Sequence, residues 1–333
     1  MNISDVAKRA RVSTATVSRT INEAGTVRPE TAERVWKVIR TLGYHPNSNA
    51  RSLVSGRSNL LGLIISDITN PFFPELVKCF EEIALQHGLE VIVGNTSYDP
   101  GRMTHCVRRM LERKVDGVAI FTSEMEKGLI AQLEERRIPI VFLDTGSVRE
   151  QISNIRVNYE SGIHEAIDHL FHLGHKRIGF ISGPMELRSA RIRRTAFLKW
   201  LGHYGLLVDD RLNETGNHKI DGGESAMQRI LGLGKLPTAI LASNDLTAIG
   251  ALRAIYNAGL HVPEDLSVIG YDDIDFSQYT QPALTTVRLS RAELAQKAMD
   301  ALVSGLGAKS KMGREFIVET HLIVRASTAR CKA

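Results

Sequence analysis

The chain has 333 residues, 43% hydrophobic and 24% charged, too long for one small domain and of ordinary globular composition, so two or three domains are expected rather than a disordered or fibrous chain. Its formal charge of +5 is unevenly placed: residues 1–60 hold 10 Lys+Arg against 4 Asp+Glu, leaving the remainder near neutrality. A basic head of this kind is the electrostatic footprint of phosphate binding, although a solvated basic face looks similar.

In chain order, Asn2 caps a first helix, with Asp5 three residues on in a capping-box arrangement. Ile3, Val6, Ala7 and Ala10 then recur at helical spacing. The helix stops at Arg11-Val12, Ser13 is a second N-cap, and Val17 and Ile21 give the next helix one buried stripe. Two short helices joined by a three-residue turn form a helix-turn-helix. The opposite face of the second helix carries Thr14, Ala15, Ser18 and Arg19, small or hydrogen-bonding groups ending in a guanidinium able to fork onto guanine O6 and N7. That face suits a major groove; two plain core helices opening an enzyme are the alternative.

Pro29 at a first helical position, Glu30 in the first turn, and Ala32, Val35, Ile39 and Leu42 on one face predict a third helix that Gly43 ends. Residues 44–56 are a polar linker with helix-compatible residues between Pro46 and Gly56. So short a helix is marginal in water, so the linker is expected to be helical only when something holds it.

From Leu60 the pattern changes to short apolar runs alternating with helical stretches. Residues 60–66, 89–94, 117–121, 139–143, 177–181, 238–242 and 266–270 are predicted strands. Helices are predicted over 74–87, 102–113, 127–136, 161–173, 191–204, 222–231, 246–258 and 291–302. Alternation of this kind gives parallel sheets wrapped on both faces, and its extent points to two α/β lobes facing a cleft. Crossing strands are expected near 157–158, 286–289 and 317–320.

No dinucleotide fingerprint, P-loop or nucleophile elbow occurs in this body. His164 and His169 stand five apart, about 140° around a helix, which is not a zinc pair. His172 and His175 flank a helix end at Gly174, so surface or capping roles are expected for this cluster, with no metal, no cofactor and no catalysis. Cys79, Cys106 and Cys331 form neither a C-x-x-C pair nor a disulfide framework, and read as reduced thiols. With no apolar leader and no run of 18 apolar residues, a cytoplasmic protein away from membranes is expected.

Seven motifs then appear in order: V-A-K-R-A-R-V-S-T-A-T-V-S-R from Val6, L-G-Y-H-P-N-S-N-A-R-S-L from Leu42, N-P-F-F from Asn70, G-H-K-R-I from Gly174, S-N-D from Ser243, V-I-G-Y-D-D from Val268 and P-A-L-T-T-V from Pro282. Together they resemble the LacI/GalR family of bacterial transcriptional regulators over nearly the whole chain. The resemblance implies a helix-turn-helix DNA-binding domain over 1–46, a hinge helix over 47–58, and a two-lobed effector-binding and dimerisation domain over 59–333 resembling periplasmic sugar-binding proteins. Lobe 1 would take about 59–157 and 289–318, and lobe 2 about 158–287 and 319–331.

By the same resemblance, Thr14 and Ala15 fall at the base-reading pair, Thr16 and Ser18 at phosphate contacts, and Arg19 at a guanine edge. Leu53 matches a leucine wedged into the minor groove, with Asn47, Ala50 and Arg51 beside it. Two departures stand out: Arg11 replaces a turn glycine, where a positive φ would cost about 1 kcal/mol, and Arg28 replaces a serine cap. In the core, Phe72 and Phe73 are placed at the cleft mouth, Asp144, Arg193, Asn244 and Asp272 as polar ligand contacts, and His218 as a flat stacking wall. Arg188, Arg191 and Arg194 stand close to Arg193, and Asp144 and Asp272 also suit helix caps after strand ends. Carboxylates, an arginine and an amide in a cleft suit a sugar. The expectation is a repressor of carbohydrate-utilisation genes that binds double-stranded operator DNA. The alternatives are a regulator answering a nucleobase or a phosphoprotein co-repressor and, further off, an enzyme or periplasmic-type binding protein. A chain ending soon after R-A-S-T at Arg325 leaves no room for a C-terminal heptad segment, so a homodimer is expected rather than a tetramer.

Overall fold

The computed structural model describes residues 2–21, 27–44, 57–122, 127–144, 146–306 and 312–332, and divides into two compact units, Met1–Asn59 and Leu60–Ala333. The expected hinge residues Asn47, Ala50, Arg51 and Leu53 lie outside the described residues.

The first unit holds α1 (Ile3–Ala10), α2 (Thr14–Ile21) and α3 (Pro29–Leu42). At the start of α1 the Asn2 side chain accepts from the Asp5 amide at 3.2 Å, and the Asn2 amide donates to Asp5 Oδ2 at 2.9 Å, so the capping box forms. Ser13 Oγ accepts from the Thr16 amide at 3.1 Å and starts α2. Val6, Ala7, Ala10, Val17, Val35 and Ile39 close the core, while Ala32 is only half-buried. Arg34 Nε donates to the Ala10 carbonyl at 3.0 Å, putting a cation at the negative end of α1. Arg11 does adopt the left-handed conformation, φ 53° and ψ 50°, and Arg28 stands at the start of α3 with no side-chain cap bond.

In the second unit, β1 (Leu60–Ile65), α4 (Phe72–Gln86), β2 (Glu90–Asn95), α5 (Pro100–Glu112), β3 (Gly117–Phe121), α6 (Lys127–Glu135), β4 (Ile140–Leu143) and β5 (Ile152–Asn158) make one half-sheet with its helices. The chain continues through α7 (Tyr159–His172), β6 (Ile178–Ser182), α8 (Arg188–His203), β7 (Asn213–Thr215), α9 (Ile220–Leu231), β8 (Ala239–Ala242), α10 (Asp245–Asn257) and β9 (Ser267–Asp272). It ends with β10 (Thr285–Leu289), α11 (Arg291–Gly305) and β11 (Glu315–Ile323). Among the described residues the strand order is β2-β1-β3-β4-β5-β11-β10-β9-β8-β6-β7. Every ladder is parallel except β10 with β11.

β11 joins the halves. Glu315 to Glu319 run parallel to β5, and Thr320 to Ile323 then run antiparallel to β10. β5, β10 and β11 occupy the segments where crossings are expected, whereas the edge strand β7 has no counterpart among the expected strands. Its three residues, Asn213, Glu214 and Thr215, are polar and only partly covered, so no apolar run marks them. Over the crossing, α7 lies so close that a Cβ on Gly162 would come within 2.2 Å of Val287 Cγ1, and the Gly162 amide donates to Thr320 Oγ1 at 2.9 Å. The histidines act structurally: buried His175 contacts Thr238 Oγ1 and the Ala329 carbonyl, both at 3.0 Å, and His169 reaches Thr328 Oγ1 at 3.0 Å, fastening the C-terminal segment.

Candidate functional site

In the first unit, α2 turns Val17 and Thr20 into the core, and Thr14, Ala15 and Arg19 stand exposed on its other side. Thr16 and Ser18 are half-buried; the Thr16 hydroxyl lies 2.9 Å from Ser13 Oγ, so part of its hydrogen-bonding capacity serves the cap. The five residues thus share one helix whose outward side is small, polar and cationic, a shape and chemistry that a major groove accepts.

In the second unit a cleft with about 750 Å³ of free space, its open mouth included, is lined by all seven expected core residues: Phe72, Phe73, Asp144, Arg193, His218, Asn244 and Asp272. Most come from the carboxyl ends of parallel strands, where open α/β sheets leave a crevice. Asp144 follows β4, Asn244 follows β8, Asp272 ends β9, and Phe72 and Phe73 open α4 after β1. Arg193 comes from the interior of α8, on the buried side shared with Ala190, Ala196 and Phe197. Its neighbours Arg188 and Arg191 are exposed and Arg194 half-buried.

Arg193 is 6% exposed. Its guanidinium lies 4.1 Å from the ring centre of Tyr271 and 4.9 Å from that of Tyr159, donates to the Ser243 carbonyl, and stands 3.5 Å from Asp272 Oδ1. Burial pushes the Asp272 carboxyl up to about 6, against the pull of Arg193 and Arg291. Burial, with Arg193 adding to it, holds the His218 imidazole down at about 3, so it is neutral at physiological pH. His218 Nε2 and Arg193 Nε are buried and have no hydrogen-bond partner among the described residues. The His218 ring packs directly on Gly183, where a Cβ would sit 1.9 Å from Nε2.

Two of the seven are committed to the protein itself. Asp144 accepts from the Val157 amide at 2.8 Å and the Tyr159 hydroxyl at 2.6 Å; burial still raises its carboxyl, with those two bonds and Arg188 and Arg193 opposing. Asn244 caps α10 by accepting from the Thr247 amide at 2.9 Å, and donates to the His218 carbonyl at 3.0 Å. Asp272 makes no cap bond among the described residues. Asp144, His218 and Asp272 all have positive φ, at 60°, 61° and 105°, strain of the kind that gathers at functional sites. The cleft also exposes Ser66, Asn70, Tyr98, Thr122, Tyr159, Arg188 and Ser189, none of them an expected ligand contact. Ser66 and Thr122 each directly follow a strand, and that position is the signal that would have found them.

Among the described residues no group of three or more His, Cys, Asp or Glu side chains could hold a metal ion, and no helix is long and apolar enough to cross a membrane. A helix-turn-helix unit with a cationic face, followed by an α/β core with a polar cleft, is the arrangement of a ligand-responsive DNA-binding regulator. Residues 2–47 match the family described as bacterial regulatory proteins, lacI family, and residues 167–328 match a periplasmic binding protein-like domain. The chain is 32% identical to the HTH-type transcriptional repressor PurR of Aliivibrio salmonicida (strain LFI1238), covering 98% of each, and 32% identical to the repressor CytR of Escherichia coli (strain K12), covering 97% of this chain and 95% of that one. Among solved structures, a Lac repressor dimer bound to operator and the anti-inducer ONPF superposes with a TM-score of 0.86 at 29% identity, covering 99% of both chains. The regulator CelR in complex with cellobiose gives 0.72 at 27% identity, covering 98% of this chain and 99% of that one. The chain belongs to the LacI family of bacterial transcriptional repressors. Regulators of this family bind operator DNA and small-molecule effectors and act as dimers.

Proposed function

We propose that the chain is a cytoplasmic homodimeric repressor of carbohydrate-utilisation genes whose cleft binds a neutral monosaccharide or small sugar derivative. The observation that carries this is the cleft itself: the Asp272 carboxyl and a buried Arg193 line it together with Phe72, Phe73 and a neutral His218, with Asp144 and Asn244, held by their own protein partners, completing the wall. Hydroxyl pairs satisfy such carboxylates and donors, and flat apolar faces cover the ring of a sugar. A nucleobase is the second reading, favoured by the flat uncharged imidazole of His218 with an unpartnered nitrogen.

On DNA, Thr14 and Ala15 would read base edges, Thr16 and Ser18 hold phosphates and Arg19 meet guanine, with Leu53 wedging a central step flanked by Asn47, Ala50 and Arg51. The half-sheets on either side of β11 would act as lobes, and ligand binding would favour one lobe angle by its differential affinity, typically about 1 to 3 kcal/mol of coupling. A dimer through the core would be one way to cover exposed aromatics such as Tyr256, Phe276 and Tyr279, at 78%, 60% and 78%.

The test is a thermal-shift series on the purified chain against neutral sugars, sugar acids, sugar phosphates and purines. A true effector at 100 times Kd stabilises by about 2.7 kcal/mol. A shift with a neutral sugar is expected; a shift with purines alone would replace the sugar reading with the second one.

A further inference from the structure

The main chain at Asp272 and Asp273 is held in an uncomfortable shape. Both residues have positive φ, at 105° and 54°, and neither is glycine. Strain of this kind persists only where the surroundings over-determine it. The Asp273 side chain is fixed by Arg288 Nε at 2.6 Å and Arg325 Nη2 at 2.7 Å, which leaves the Asp272 carboxyl as the one turned to the cleft beside Arg193. The two carbonyls of the strained pair are held by a third arginine. Arg291 Nη1 donates to the Asp272 carbonyl at 2.8 Å and the Asp273 carbonyl at 2.7 Å.

Arg291 is the first residue of α11, after the capping Ser290, where a cation opposes the positive end of the helix. Its placement there therefore needs an anion, and Glu75 Oε2 lies 2.9 Å from Arg291 Nε. Glu75 Oε1 also accepts from the Asp275 amide at 3.1 Å, a bond spanning 200 residues of sequence. Glu75 stands in the first turn of α4, the turn that sends Phe72 and Phe73 into the cleft. A closed circuit results: from α4 of one half-sheet through Arg291 to the strained end of β9 in the other, and back through the Asp275 amide to Glu75.

We infer that Arg291, with Glu75 as its counter-ion, is a positioning residue for the effector cleft, fixing the Asp272 carboxyl and tying it to the turn that carries Phe72 and Phe73. A ligand touching Asp272 on one side and the phenylalanines on the other is then read as one unit, because both walls hang from the same guanidinium. This inference rests on the proposed effector role of the cleft only for its functional meaning; the mechanical claim stands on the circuit itself.

The experiment is amide hydrogen exchange on the full-length chain without ligand, comparing wild type with Arg291→Met and Glu75→Gln. In Arg291→Met, exchange is expected to rise at least about tenfold in residues 272–276 and, together with them, in residues 69–76, while β1 and β8 keep their wild-type rates. Glu75→Gln, nearly isosteric, is expected to give the same pattern with a smaller amplitude. A rise confined to residues 289–295 would overturn the inference, making Arg291 only a local feature of α11. If Arg291→Met fails to fold, Glu75→Gln decides: wild-type rates at 272–276 in that variant would equally overturn it. A second arm uses whichever sugar shifts the wild-type melting temperature. Its Kd should rise at least about tenfold in Arg291→Met, and an unchanged Kd would count against positioning. If no sugar binds the wild type, the sugar reading fails while the exchange result still judges the circuit.

Discussion

Replacing Asp272 by Asn isolates the energetic role of the buried carboxyl. Its rise from the ordinary 3.8 to about 6 corresponds to about 3 kcal/mol held against the charged form in the folded protein, even with Arg193 3.5 Å away. Because the folded pKa is the higher one, the folded state binds this proton more tightly than the unfolded chain. The contribution is therefore most favourable below about pH 4 and is lost as pH rises from about 4 to about 6. Asn cannot ionise, so the variant lacks that loss. Thermal or urea unfolding of both proteins between pH 4 and 7.5 should show near equality at pH 4 and a relative gain for Asp272→Asn of up to about 3 kcal/mol at pH 7.5, on the order of 6 °C in melting temperature for a core of this size. The same variant should bind effector more weakly, since an NH2 donor replaces one of the two carboxylate oxygens that ligand hydroxyls would satisfy. If the variant instead loses ground to wild type as pH rises, the Arg193–Asp272 pair is net stabilising as an ion pair and the argument from burial is wrong.

Arg19→Ala should weaken binding to the DNA selected by the wild-type chain by about 1 to 3 kcal/mol per half-site and relax one position of the consensus; an unchanged consensus in a repeat selection would remove Arg19 from base reading. Arg11→Gly should stabilise the first unit by up to about 1 kcal/mol by relieving the left-handed residue, partly offset by the greater unfolded-state freedom of glycine. Urea unfolding followed at Trp36 in a Trp200→Phe background measures this, and a loss of stability would show that the Arg11 side chain outweighs its backbone. Light scattering should report a dimer for the wild type and a shift toward monomer when Tyr279, 78% exposed, is replaced by Asp; a stable tetramer, or a dimer indifferent to the substitution, would place the interface elsewhere.

Much of the fold was legible because the signals were local. The Asn2–Asp5 capping box, Pro29, Gly43 and the apolar runs of β1, β3 and β4 each announce themselves within a few residues. β7 did not, because a short half-covered edge strand needs no apolar alternation. The first turn of α8 was missed too: Leu187 precedes it with no side-chain cap bond, so Arg188 to Ala190 carry no start signal. At the cleft, the family resemblance brought the seven expected residues to one place, but not their division of labour. Asp144 and Asn244 are largely occupied by Val157, Tyr159, Thr247 and His218, partners three to 26 residues away that only the folded chain reveals. The choice of Arg193 among its neighbours was readable in retrospect, since Ala190, Ala196 and Phe197 mark the buried side of α8.

The way β11 changes partners at Thr320 has a consequence for anyone wishing to dissect the molecule. Each half-sheet borrows strands or helices that the chain supplies only after it has already built the other, so no single cut yields two self-sufficient fragments. With the core running continuously from Phe72 and Val141 to Ile269 and Val287, the halves are expected to melt together in one transition. A minimal ligand-binding module would have to be excised as the whole of residues 60–333, and circular permutants should tolerate new ends in surface turns but not inside the shared strand.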